Sequence, residues 1–145
     1  MHTTPDTSKT AMAVFYDLRL VSLAVLMLAS QLDFASAAVR VSGLHARDLT
    51  GDAAGNKPDP YVKVWCGSTF GGQTEFIKDT AHPTWSSEFN FPNCKANENL
   101  KLEVWDKDLN YDDKLGTCSR QVQYGSFDVV CYLNKGTLFY KCEVK

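Results

Sequence analysis

Several chemistries are excluded by what this sequence has little of. It holds three histidines in 145 residues. His45 and His82 stand apart from the cysteines, and no Cys-x-x-Cys spacing occurs, so zinc finds no ligand set. There is no Gly-x-Ser-x-Gly turn to raise a nucleophile and no metal-ligating histidine pair, so the chain is expected not to be an enzyme. Positive charge is not in excess. Fifteen Lys plus Arg against 17 Asp plus Glu leave a net charge of -2, without the broad basic surface that nucleic acids require. With 44% hydrophobic and 22% charged residues, the composition also fits neither a disordered chain nor a collagen-like one, and 16.1 kDa allows one core.

Long apolar runs are scarce too. The run from Leu20 to Ala29 is half the roughly 20 residues of a membrane-spanning helix, and Asp33 follows closely. With Arg19 before it and the small triplet Ala35-Ser36-Ala37 after it, the segment has the layout of a secretory signal peptide. We expect residues 1–37 to be removed, with Met1 or Met12 as the start, and residues 38–145 to form one secreted domain. The five cysteines all lie beyond that cut, as an oxidising compartment would favour. A hairpin turning at Tyr124-Gly125-Ser126 places Cys118 opposite Cys131, close enough to bridge. Cys66 with Cys94 is the remaining expected pair. Cys142 is left over, either as a buried thiol, since Leu138, Tyr140, Cys142 and Val144 alternate onto one face, or as a link to a second chain.

From Val39 onward the hydrophobic signal has period two, and no window of ten or more residues carries a helical stripe. Strands are predicted at 39–46, 61–66, 74–78, 87–91, 100–105, 115–121, 127–133 and 137–144. Leu100, Leu102 and Val104 alternate with Lys101, Glu103 and Trp105, as in a sheet buried on one face. Turn-formers lie between the runs: the stretch 52–60, Gly71-Gly72, His82-Pro83 and Asn134-Lys-Gly136. Eight short strands make an all-β, antiparallel two-sheet sandwich.

Acidic charge is concentrated. Asp48, Asp52 and Asp59 fall in the first long loop, and Asp106, Asp108, Asp112 and Asp113 fall in the loop after the Leu100 strand. If the two loops meet, carboxylates about 4 Å apart repel by about 4 kcal/mol per pair at an effective dielectric of 20. A cation relieves that repulsion, and an all-oxygen ligand set suits calcium. Asp is also an ordinary turn residue, which is the plainer reading of the same pattern. An EF-hand is excluded, because Tyr111 stands at the sixth loop position and Thr117 at the twelfth, where Gly and Glu are required.

Four pieces in this order resemble the C2 domain family: Leu44-His-Ala-Arg-Asp-Leu49; Asp59-Pro-Tyr-Val-Lys-Val64; His82-Pro-Thr-Trp85; and Val104-Trp-Asp-Lys-Asp108 running to Asp113-Lys-Leu-Gly116. Within it, the Trp105 to Asp108 run, Asp112-Asp113, Leu115 to Cys118 and then Cys131 are similar to the C2 domain of perforins. The resemblance implies an eight-stranded C2-type β-sandwich of the circularly permuted (type II) topology. It implies calcium as cofactor, with ligands at Asp52, Asp59, Asp106, Asp108 and Asp113, and Asp112 as a further candidate. Its partner would be a phospholipid membrane surface, with Leu109 and Tyr111 as the membrane-contacting residues. A perforin-like role in immunity without a pore-forming domain of its own follows from the same likeness. The competing function is a secreted protein- or glycan-interaction domain, in which calcium only stabilises the loops and Lys63, Lys78, Lys101 or Trp105 forms the surface.

Overall fold

A computed structural model describes residues 36–51 and 55–145. The signal peptide expected at residues 1–37 therefore lies outside the described residues except for Ser36 and Ala37, which open the first strand. Eight strands follow one another: β1 (Ser36–Arg47), β2 (Pro60–Cys66), β3 (Thr69–Gln73), β4 (Phe89–Lys95), β5 (Asn99–Asp106), β6 (Asp113–Gln121), β7 (Gly125–Leu133) and β8 (Gly136–Val144). They form two four-stranded sheets, ordered β4-β1-β8-β7 and β3-β2-β5-β6, and every pairing is antiparallel.

The period-two pattern builds the core. Val39 and Val41 of β1, with Leu138, Tyr140, Cys142 and Val144 of β8, face Val62 and Val64 of β2 and Leu100, Leu102 and Val104 of β5, all buried. Each such aliphatic side chain contributes about 1.5–3 kcal/mol by leaving water. Trp85 caps this core, its indole N–H donating to the Pro60 carbonyl at 3.3 Å.

Two local expectations are corrected. The third strand is not 74–78 but Thr69–Gln73, so Gly71-Gly72 lies within a strand and not at a turn. The reversal is made two residues after Trp65, where Gly67 takes a φ of 56° that other residues resist. Gly71 is there for space: a Cβ on it would stand 2.3 Å from Cζ of Phe91. Second, Cys118 and Cys131 are paired, but β6 and β7 are not partners in a hairpin. They are the edge strands of opposite sheets, and the residues between them turn the corner of the sandwich. Pro92 lies inside β4, which extends to Lys95, and this is tolerated because β4 is also an edge strand.

Both disulfides join one sheet to the other. Cys66–Cys94 ties β2 to β4 (Cα–Cα 6.2 Å) and Cys118–Cys131 ties β6 to β7 (6.0 Å), one along each flank. Cys142 is a free thiol with 3% exposure on the inner face of β8, where burial pushes its pKa up, and this removes it as a link to a second chain. At the pole where β1 starts and β8 ends, Ala38 and Lys145 exchange two backbone hydrogen bonds of 2.9 and 3.0 Å.

Candidate metal centre at the loop end

β2, β5 and β6 are neighbours in one sheet, and their register decides which acids meet at the opposite pole. Pro60 lies across from Asp106, and Asp106 lies across from Asp113. Asp59, one residue before β2, is tied in by two bonds. Its N–H donates to Oδ1 of Asp106 at 2.8 Å, and its carbonyl accepts the Lys107 N–H at 2.9 Å. Asp106 is buried at 6% exposure, whereas Asp108 and Asp113 are exposed. The sequence-predicted ligands Asp59, Asp106 and Asp113 are thus brought to one sheet end, with Asp108 two residues along. Asp52 lies outside the described residues.

Two more of the carboxylates accept backbone N–H groups. Asp59 Oδ1 accepts the Asp79 N–H (2.7 Å), and Asp108 Oδ1 accepts the Leu109 N–H (3.2 Å). Among the described residues no three of these acids bring ligand oxygens within 4.8 Å of one another; the group that meets this distance is Cys66, Cys94 and Glu98. Its two sulfurs are joined to each other, which removes them as ligands. Separation of uncompensated carboxylates is what Coulomb repulsion dictates. The donor chemistry still fits a hard cation, since Asp59, Asp106, Asp108 and Asp113 all offer carboxylate oxygens.

Asp112 is placed differently. Its Oδ2 accepts the Tyr61 hydroxyl at 2.5 Å and lies 3.7 Å from Nζ of Lys107, while its Oδ1 accepts the Asp108 N–H at 3.0 Å. The Tyr61 hydrogen bond, followed by the Asp108 amide, holds the Asp112 carboxyl below its usual range. Burial first, then that same hydrogen bond, raises the Tyr61 phenol well above its usual range. At the tip of the loop, Leu109 is 100% and Tyr111 85% exposed.

Three participants escaped the sequence reading. Tyr61 is one: it stands in the Asp59–Val64 motif, but nothing there assigned it a role at the site. Asp79 is another, held at a φ of 58° with its amide on Asp59. The third is His82, whose Nδ1 accepts the Asp48 N–H at 3.2 Å and fixes the start of the first loop. The surface of the competing function divides. On the outer face of β2 and β5, Lys63 lies 4.5 Å over Trp105 and Lys101 4.4 Å over Trp65, so these cations are already satisfied by ring faces. Lys78 is exposed in the loop beyond β3.

Comparison with known proteins gives the family and the fold. A family profile described as "C2 domain" matches residues 37–132. Perforin-1 of Homo sapiens is 36% identical over 115 residues, which is 75% of this chain and 20% of that protein. Perforin-1 of Rattus norvegicus is 35% identical over 108 residues, covering 70% and 19%. This chain therefore spans about a fifth of the length of the perforins it matches. A solved structure described as that of a C2 domain superposes with a TM-score of 0.69 at 37% identity, covering 75% of this chain and 98% of that one. A structure of two C2 domains of extended synaptotagmin 2 gives 0.67 at 26% identity, covering 75% and 41%.

Proposed function

Because this chain belongs to the C2 domain family, we propose that it is a secreted, perforin-like module that attaches to phospholipid membrane surfaces in a calcium-dependent manner. Asp52, Asp59, Asp106, Asp108 and Asp113 would hold the ion, with Asp112 beside them. Bound there, calcium supplies positive charge and open coordination positions that phosphate oxygens of lipid headgroups can fill. The chain's own part is to deliver the carboxylates at one rigid sheet end and to present Leu109 and Tyr111 beyond them.

The observation that carries the reading is the register that sets Asp106 between Pro60 and Asp113, directly behind a tip whose leucine is fully exposed. A related extended synaptotagmin 2 structure is described as calcium bound, which supports the choice of ion within the fold. A fully exposed leucine contributes nothing to the core, whereas entry into lipid would give it a part in membrane binding. The test is co-sedimentation of the domain with phosphatidylcholine and phosphatidylserine vesicles in millimolar calcium and in chelator. Binding in calcium, lost in chelator and lost in an Asp106→Asn, Asp108→Asn variant, is the expected result. Vesicle binding by that variant with undiminished calcium dependence would overturn it.

A further inference from the structure

We propose that Tyr61 and Asp112 form a latch that fixes the 107–112 loop to β2, so that Asp112 is a positioning residue for the membrane-facing tip and not a ligand of the ion. The proposal rests on the membrane-binding reading above and deepens it. Both oxygens of Asp112 are already committed, Oδ2 to the Tyr61 hydroxyl (2.5 Å) and to Lys107 Nζ (3.7 Å), and Oδ1 to the Asp108 amide (3.0 Å).

Strand parity separates the two faces that the latch divides between. Asp106 and Asp113 are direct partners, so their side chains share a face, and Tyr61 and Trp105 share the opposite one. Asp112 immediately precedes Asp113 and turns to the side of Tyr61. The doubled aspartate thus splits its labour, with Asp113 beside Asp106 and Asp112 against the outer face.

The anchor is stiff. Tyr61 is 4% exposed on a strand paired on both sides, by β3 and β5. The bond from the Asp108 amide to Asp112 Oδ1 closes residues 108–112 into a ring, and the Leu109 amide is taken up by Asp108 Oδ1 within it. Leu109 and Tyr111 are left with nowhere to pack and stand at 100% and 85% exposure. A latch of this kind sets where those two side chains point, which a ligand does not need to do.

Two measurements decide it. In calcium titrations of the whole protein without lipid, Asp106→Asn should raise the calcium midpoint by about tenfold or more, while Asp112→Asn and Tyr61→Phe leave it within about threefold. At saturating calcium, affinity for phosphatidylcholine–phosphatidylserine vesicles should fall by about fivefold in either latch variant and no further in the double variant. More calcium should restore vesicle binding to Asp106→Asn and fail to restore it to the latch variants. The second measurement needs neither ion nor lipid: in chelator, amide exchange at Asp108 should quicken by about tenfold in Asp112→Ala and measurably in Tyr61→Phe. A calcium midpoint in Asp112→Asn raised as far as in Asp106→Asn would make Asp112 a ligand, and unchanged Asp108 exchange in both variants would remove the latch. If the wild-type protein binds no calcium, the membrane reading fails, and the exchange measurement still decides the latch.

Discussion

Leu109 offers a sharp separation between folding and membrane attachment, because it is 100% exposed in the folded domain. Its truncation to alanine removes three carbon atoms that touch no core. At about 0.8 kcal/mol per buried methylene or methyl, full insertion into lipid makes the leucine worth about 2 kcal/mol more than alanine at the membrane. By the relation of 1.4 kcal/mol to a factor of ten, that is a loss of about 30-fold in vesicle affinity. Burial to half depth would halve the energy and give about fivefold. The assay is partitioning onto vesicles at saturating calcium, paired with a thermal melt of the same protein in chelator. The melt should not move by more than about 1 °C, since an exposed surface substitution has little effect on stability. A vesicle affinity unchanged within twofold would refute the assignment of the tip to lipid. A large fall in melting temperature would show that Leu109 packs in the folded state, which is equally fatal to the reasoning.

Removing the Cys118–Cys131 bridge by a double Cys→Ala replacement should cost about 3 kcal/mol, from the entropy of a loop with a sequence separation of 13; chemical denaturation checks it, and loss of under 1 kcal/mol would contradict the stapling of the flank. Gly71→Ala should destabilise by about 1–3 kcal/mol, because the new Cβ would sit 2.3 Å from Cζ of Phe91 and either the ring or β3 must shift; a melt equal to wild type would refute it. The pH dependence has a definite sign. Asp112 has a folded pKa depressed from its ordinary 3.8, so its stabilisation is fully present above that value and is lost as pH falls through the lower, folded one. The stability advantage of wild type over Asp112→Asn should therefore be flat near neutrality and shrink below about pH 4, and an advantage that grows on acidification would contradict the Tyr61–Asp112 bond.

How much could be read from the sequence differs by element. β5 was fully legible, since Leu100, Leu102 and Val104 alternate and are all buried. β3 was not, because Thr69-Phe-Gly-Gly-Gln has the composition of a turn, and the need for Gly71 exists only once Phe91 of β4 lies on it. The pair Cys118 and Cys131 was found by symmetry about a turn, although the turn joins two sheets and not two partners. Spacing along the chain survives such a change of geometry; the hydrogen-bonding partner does not. For the site, the Asp residues announced themselves by clustering. Tyr61, Asp79 and His82 did not, because each acts through one hydrogen bond to a residue 20 to 51 positions away or across a loop. Only the pairing of β2 with β5, whose following loop carries Asp112, brings the partner of Tyr61 within reach.

The backbone exchange between Ala38 and Lys145 also bears on how this sandwich can be wired. The beginning of β1 and the end of β8 are ladder neighbours at the pole away from the acids, so a short turn joining them would leave every strand pair as it is. New ends could then be opened at any exposed loop, giving a chain that visits the same eight positions in a rotated order. Connectivity here is a choice of where a closed circuit is cut, and the loops that carry the carboxylates keep their places wherever the cut is made at the other pole.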